Sequence, residues 1–488
     1  MLDFVKIAHS PGRKGSTDVF PIFVVNVNTQ DLMIRGGDFY AVWNEEAGMW
    51  STEEQTVIVL VDRLIDDYIY EHRVTLADRE VHAQYMWNSS TGAIDKWHKF
   101  CQKQMRDTFH PLDEKVIFSN TPVKKRYYVS MRLPYSIEPG NIDAYDTIMS
   151  TLYDPEERQK LEWSIGAIIS GDSKKIQKFI VLYGDSGAGK STFLNIVQDL
   201  FTVDADKEKK YWQAFEAKEL GRSSNDFSLD AFQTNPLIAI NHDGELSKIE
   251  DNTKLNSLVS HETMMVNPKY AKKHPQKFKS FLYIGTNRPV KITEAKSGII
   301  RRLIDVRPSG RLIKPESKYL KLCNDISFEL GAIADHCLRV YKEMGPHFYG
   351  NYAPREMLSL TNDFYDFVSA HYDVFRKADE TTLKAAWAMY KEYCDYAKVA
   401  YPYSLMKFKG ELKNYFREHH ESYRRDGATF SNFYIGFRWD KFEFEEKPKE
   451  VIEDLDGNGS GVNGVDVAVV ESGEKKSNDW NTLKRQHS

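Results

Sequence analysis

The stretch FIVLYGDSGAGKSTFLNIVQDLF, residues 179–201, narrows the fold more than any other part of the chain. Five apolar residues of strand length run into a glycine-rich loop. Behind the loop, Phe193, Leu194, Ile196, Val197, Leu200 and Phe201 recur at helical spacing. Strand, loop and helix in this order form a phosphate-binding loop, matching G-x-x-x-x-G-K-[ST] through Gly184, Gly189, Lys190 and Ser191. Residues Gly184, Asp185, Ser186, Gly187, Ala188 and Gly189 would curl so that backbone N–H groups point at phosphate oxygens. Lys190 would reach the β- and γ-phosphates of ATP, Ser191 would ligand Mg²⁺, and Thr192 is a neighbouring spare hydroxyl. The helix adds its positive end to the same anion.

A phosphate loop works with an acid at the end of a neighbouring strand. In NPLIAINHDGELS (235–247), Leu237 to Ile240 read as a buried strand, followed by Asp243 and Glu245. One carboxylate holds Mg²⁺ through water and the other polarises the attacking water. Asp243 is assigned to metal and Glu245 to base, with the reverse assignment open. The next strand, SFLYIGTN (280–287), ends in Asn287, an amide placed to orient water or sense the γ-phosphate. SGIIRRLIDVRP (297–308) sets Arg301 and Arg302 before another strand. A guanidinium beside a transferred phosphoryl stabilises its spreading charge, and Arg302 ranks ahead of Arg301.

Between the acidic strand and the Asn287 strand lies TMMVNPKYAKKHPQKFKS (263–280). Apolar flanks predict a hairpin with a basic tip. Lys269, Tyr270, Lys272, Lys273, His274 and Lys277 are its candidate nucleic-acid contacts, cations for phosphates and an aromatic for stacking.

Bulk properties bound the rest. The 488 residues suffice for several domains. A net charge of −5 means that any nucleic-acid contact comes from local patches. The four scattered cysteines form no C-x-x-C pair and fit a reducing compartment. No signal core or long apolar span is present, so a soluble, cytoplasmic protein with no membrane partner is expected. DFYAVWNEEAGMWS (38–51) reads as a hairpin and TVIVLVDRLIDDYIYEH as an amphipathic helix. In YSLMKFKGELKNYFREHHESYRR (403–425), six Lys and Arg residues gather on a helix and a strand pair, a face suited to duplex DNA. From Glu446 the chain is polar and glycine-rich, and disorder is expected.

The order GDSGAGKST, INHDGEL, the lysine-rich segment, YIGTN and IIRRLIDV resembles the superfamily 3 helicases, AAA+ motors of viruses, phages and plasmids. The likeness extends to the helicase half of the poxvirus and phage primase-helicase family over roughly residues 110–440. NIDAYDTIMSTLYDPEERQKLEWSIGAIISGDSKKIQKFIVLYGDSG is similar to that family's approach to the loop. LKAAWAMYKEYCDYAK, MKFKGELKNYF and FYIGFRW look like its winged-helix module. The resemblance implies an α/β fold: an AAA+ P-loop core with a central parallel sheet, an N-terminal α+β domain and a C-terminal winged-helix-like domain. The expected boundaries are 1–110, a helical collar at 111–165, the ATPase at 166–345, the winged-helix module at 350–445 and a tail at 446–488.

It implies a hexameric ring that uses ATP and Mg²⁺ to thread single-stranded DNA and unwind forked duplex 3′→5′, with a separate primase or polymerase as partner. It carries Lys190 and Ser191 to the nucleotide, Asp243 to metal, Asn287 to sensing and Arg302 to the neighbouring subunit's site. Lys269–Tyr270 and Lys272–Lys273–His274 compete for the pore tip. Two departures are visible. Many relatives have adjacent acids where this chain has His242, Asp243, Gly244 and Glu245, and no paired-carboxylate strand or zinc cluster marks primer synthesis. Other classes compatible with the motifs are an origin-melting or helicase-loading ATPase and a packaging or transposition ATPase.

Overall fold

The computed structural model describes residues 2–442 apart from 25–28, 36–38, 77–79, 104–109, 205–207, 221–228, 245–252, 267–273, 291–297, 312–316, 398, 400–401 and 426. The amino-terminal part holds β1 (Val5–Pro11), β2 (Thr17–Phe23), β3 (Leu32–Arg35), β4 (Phe39–Asn44), β5 (Met49–Ser51), α1 (Glu54–Glu71), α2 (Arg73–Leu76), β6 (Val81–Ala83) and α3 (Ala93–Lys103). The sequence alternation around residue 46 becomes the antiparallel β4–β5 pair, with Trp43 opposite Trp50. Helix α1 turns Val57, Val61 and Ile65 inward. Val57 and Val61 join Phe4, Val42 and Trp97 in a core of their own.

Two helices lead into the loop-bearing sheet, α4 (Asp143–Leu152) and α5 (Pro155–Ser170). Pro155 starts α5, where its missing N–H costs nothing, and Gly171 ends it in the left-handed region. Gly166 allows α5 to pack closely: a Cβ there would lie 2.2 Å from the Cys337 carbonyl oxygen.

The central region contains β7 (Phe179–Tyr183), α6 (Lys190–Leu200), β8 (Trp212–Ala214), α7 (Ala217–Leu220), β9 (Ile238–Asn241), α8 (Thr253–Val259), β10 (Thr263–Val266), β11 (His274–Lys277), β12 (Phe281–Thr286), β13 (Leu303–Val306) and α9 (Ser317–Met344). Five of these strands form one sheet in the order β13-β7-β12-β9-β8. Every pairing in it is parallel. Continuous apolar runs form these strands because helices and loops cover both faces. β7 is buried throughout its length. Its alternate residues feed two cores: Ile180 and Leu182 meet α4, α5, α6 and α9, while Phe179, Val181 and Tyr183 meet the carboxy-terminal helices. β10 and β11 stand apart as an antiparallel hairpin, with Thr263 opposite Lys277 and Val266 opposite His274.

The last part comprises α10 (Arg355–Thr361), α11 (Asp363–Ala370), α12 (Tyr372–Ala378), β14 (Glu380–Thr382), α13 (Leu383–Ala397), α14 (Leu405–Leu412), β15 (Phe416–Arg425) and β16 (Ala428–Phe437). The strands pair antiparallel in the order β14-β16-β15. Asn362 starts α11 by accepting the Phe364 and Tyr365 N–H groups at 3.1 and 3.0 Å. Phe364, Phe367, Tyr390 and Phe408 pack into the same core as Val181 and Leu303, so this module is continuous with one face of the sheet. No helix among the described residues is long and apolar enough to cross a membrane.

Candidate nucleotide-binding site

In a parallel sheet all carboxy-terminal strand ends share one edge, and there the loop, Asp243 and Asn287 meet. β7 delivers the loop, and Gly184, Gly187 and Gly189 take φ of 154°, 81° and 98°. Only glycine adopts such angles without strain. Gly189 is doubly required, since a Cβ there would lie 2.8 Å from Leu152 of α4. Gly189 is also the residue from which α6 starts, and the first-turn N–H groups of α6 are the ones an anion would meet.

Lys190 is 6% exposed. Its ammonium donates to the carbonyls of Gly184 at 2.6 Å and Asp185 at 2.7 Å, and to Asn287 Oδ1 at 3.0 Å. All three donors are therefore engaged within the loop and the next strand's tip. Burial holds the Lys190 pKa below its ordinary value, opposed by the charges of Asp185 and Asp243. The β12–β7 register explains the Asn287 contact. Thr286 lies opposite Tyr183, so the residues after them, Asn287 and Gly184, are neighbours.

Asp243 follows β9 with an exposed side chain. Its N–H donates to Asn241 Oδ1 at 3.0 Å. The adjacent Gly244 donates its N–H to the Gly285 carbonyl at 2.6 Å. A Cβ on Gly244 would lie 2.5 Å from Ile284 Cγ2, and one on Gly285 would lie 2.6 Å from the His242 carbonyl oxygen. These two glycines let the two strand ends approach closely, and from there Asp243 acts on the charge of Lys190. His242 Nε2 is 3.0 Å from Gln198 Nε2 of α6. Burial lowers the His242 pKa, so the neutral ring accepts from the Gln198 amide. Glu245 lies outside the described residues.

Of the two hydroxyls, Ser191 is exposed at the head of α6. Thr192 is bonded at 2.8 Å to the Tyr319 hydroxyl of α9, so it serves the packing of the two helices rather than as a spare ligand. The loop opens on a cleft of about 840 Å³, with Gly184, Asp185, Ser186 and Asn287 on its walls. Among the wall residues that the sequence motifs missed are Glu157, Arg307 and Glu356. Arg307 follows β13 at the same sheet edge as the loop, and that placement in DVRP was the available signal.

Arg301 and Arg302 sit at the opposite edge, before β13. Leu303 pairs with Phe179, the first residue of β7, whereas the loop follows its last. At about 3.3 Å per residue the arginines are ~13 Å or more from the loop of their own chain. The two arginines differ in access. Arg302 is 6% exposed. Its guanidinium bonds Ser260 Oγ at 2.8 and 2.5 Å and the Gly298 carbonyl at 2.8 Å. Arg301 is exposed, and its carbonyl accepts a 2.6 Å bond from buried Lys178. The buried arginine holds the turn and leaves its neighbour free to reach outward.

The expected basic hairpin has its two arms in β10 and β11, with Lys277 exposed on the second. Lys269, Tyr270, Lys272 and Lys273 lie outside the described residues, as does the side chain of His274. In the carboxy-terminal module Lys407 sits 3.8 Å over the Tyr403 ring. Arg425 pairs with Glu380 at 2.8 Å.

Over residues 182–302 the chain matches the family described as "Family of unknown function (DUF5906)". No curated protein matches it. Among solved structures, the chain is similar to the apo structure of the NrS-1 C-terminal region (305–718), at 9% identity and a TM-score of 0.44, covering 83% of this chain and 95% of that one. A second form of that region gives 11% identity and 0.43, over 83% and 96%. A candidate ATPase from Cytophaga hutchinsonii gives 13% identity and 0.23, over 41% and 62%.

Proposed function

We propose that the chain is an ATP-hydrolysing motor that acts on DNA, a helicase assembling as a ring. The observation that carries this reading is the Lys190 arrangement. A lysine at the head of a helix, bonded to its own glycine-rich loop and to Asn287, with Asp243 acting on its charge, is built to exchange backbone carbonyls for phosphate oxygens. Lys190 and the loop N–H groups would bind the polyphosphate. Ser191 and Asp243 fit a Mg²⁺ site in donor type, being an exposed hydroxyl at the head of α6 and an exposed carboxylate after β9 at the same sheet edge. Mg²⁺ held by them would supply positive charge against the charge that develops in phosphoryl transfer. Asn287 is placed to hold the attacking water or the lysine, and Glu245 or Asp243 would serve as base.

Strand order supports the AAA+ assignment. Numbered within the sheet by chain order, the five strands run 5-1-4-3-2, with the loop after the first. The sequence α12, β14, α13, α14, β15, β16 supports a winged-helix reading of the last module. The arginines at the far edge support hydrolysis completed by a neighbouring copy, which implies a closed ring; six subunits and 3′→5′ travel come from the resemblance. The hairpin between α8 and β12 would present its lysines to single-stranded DNA.

The test is strand displacement on forked DNA with ATP and Mg²⁺, wild type against Lys190→Ala. ATP-dependent separation lost in the variant supports the helicase. ATP hydrolysis and DNA binding without separation would move the assignment to an origin-melting or helicase-loading ATPase.

A further inference from the structure

One cation lines the cleft, and no sequence motif singles it out. Arg307 directly follows β13 and lines the cleft with Gly184, Asp185 and Ser186. Its backbone N–H donates to Glu157 Oε2 at 2.8 Å. Its Nη1 donates to the carboxylate of Glu356, in the first turn of α10. Among the described residues on the cleft wall Arg307 is the one cation, facing the carboxylates of Asp154, Glu156, Glu157, Asp185 and Glu356.

Lys160 pairs with Glu157 at 2.6 Å and Arg311 with Asp154 at 2.7 Å, yet the carboxylates still outnumber the cations around the cleft. Lys190 lies buried beneath the loop, so the wall itself offers a phosphate only Arg307. The arginine is not locked. The side chains of Arg307 and Glu356 are 57% and 51% exposed, and an ion pair that wet contributes little to stability. Its guanidinium carries five donors in a planar fork that matches phosphate oxygens. A polyphosphate on the loop and the Glu356 carboxylate would therefore compete for the same group.

We propose that Arg307 is a phosphate-binding residue of this site, held on Glu356 and taken over by the polyphosphate of a nucleoside triphosphate. The proposal rests on reading the loop as a nucleotide site. It predicts opposite effects for two side chains that touch: removing Arg307 weakens nucleotide binding, and neutralising Glu356 strengthens it.

The experiment is equilibrium titration of the full chain with a fluorescent ATP analogue and Mg²⁺. Arg307→Ala and Arg307→Gln should raise Kd about tenfold or more, the range of one charge-assisted hydrogen bond. Glu356→Gln should lower Kd about threefold, the scale of an exposed ion pair. The double variant Arg307→Ala/Glu356→Gln should behave like Arg307→Ala alone. Thermal midpoints without nucleotide should match wild type for Arg307→Gln, which keeps much of the side-chain stem. An unchanged Kd in Arg307→Gln would overturn the proposal, as would a loss of affinity in Glu356→Gln equal to that in Arg307→Ala. Lys190→Ala separates the two levels. Wild-type affinity in that variant would refute the nucleotide loop itself, whereas lost affinity there with an unaffected Arg307 variant would refute only the role of Arg307.

Discussion

Lys190 spends its three donors on Gly184, Asp185 and Asn287. Phosphate oxygens must replace those acceptors for ATP to bind, and Asn287 is then left facing whatever lies beyond the lysine. Lys190→Ala should therefore abolish ATP turnover, and nucleotide affinity should fall with it; a steady-state ATPase assay near wild type would remove the basis of the site. Asn287→Ala should separate the two quantities. Nucleotide affinity should stay within about threefold while turnover drops about a hundredfold, the low end for a group that positions a proton or water.

Lys178, at the opposite end of β7, gives a pH prediction. It is buried and bonded to the carbonyls of Arg301 at 2.6 Å and Tyr352 at 3.1 Å. Burial, with the charge of Arg302, lowers its pKa to about 8. In the unfolded chain the value is about 10.4. Below pH 8 both states hold the proton, and burial costs stability in full. Between about 8 and 10.4 the folded chain has released it and the unfolded chain has not, so stability rises with pH by up to about 3 kcal/mol. Denaturant midpoints of wild type and Lys178→Met at pH 7.5 and 10 should show the wild type gaining on the variant. A constant difference would mean that the ammonium is solvated.

At the scale of elements, the loop-bearing strand and helix were legible because two signals agreed: a continuous apolar run, and apolar residues at helical spacing behind a glycine loop. The β4–β5 pair and α1 were readable by the same periodicities. The chain's close approaches were not. Gly244 and Gly285 read as ordinary turn and strand residues, and only the close approach of the β9 and β12 ends shows why neither tolerates a side chain. Burial likewise escaped the sequence. Arg301 and Arg302 are chemically identical, and only Ser260 and the Gly298 carbonyl reveal which of them is structural. Arg307 was missed because it carries no motif and becomes visible only once β13 is known to lie beside β7. Gly285→Ala tests this approach. Its Cβ would meet the His242 carbonyl at 2.6 Å, and backbone cannot yield as a flexible side chain does. A loss of about 1–3 kcal/mol is expected in chemical denaturation, together with weaker hydrolysis as Asp243 shifts. A wild-type denaturation midpoint would mean that the two strand ends move independently.

For the whole molecule, the decisive fact is that the loop and the arginine pair occupy opposite edges of one sheet. A chain built this way cannot bring Arg301 to its own Lys190 without taking the sheet apart, but two copies side by side can bring one edge to the other. Heterologous contacts of that kind close into rings when the rotation per subunit allows. The two arginines then predict different failures. Arg302→Ala removes a buried guanidinium and leaves Ser260 and Gly298 without it, so the turn before β13 should loosen and the thermal midpoint should fall. Arg301→Ala should leave the fold and nucleotide affinity intact while hydrolysis falls about a thousandfold, the lower end for a lost arginine finger. Mixing Arg301→Ala with Lys190→Ala then isolates the interface. Each variant alone is inactive, yet an Arg301→Ala subunit keeps an intact loop and a Lys190→Ala neighbour keeps the arginine. In a random equal mixture on the order of a quarter of the interfaces combine the two intact halves, and ATP turnover should return to a comparable fraction of wild type. If the mixture stays inactive while sedimentation shows that both variants assemble together, Arg301 does not act across the interface. If the wild-type chain sediments as a single copy with nucleotide and single-stranded DNA present, the far-edge arginines have no site to complete.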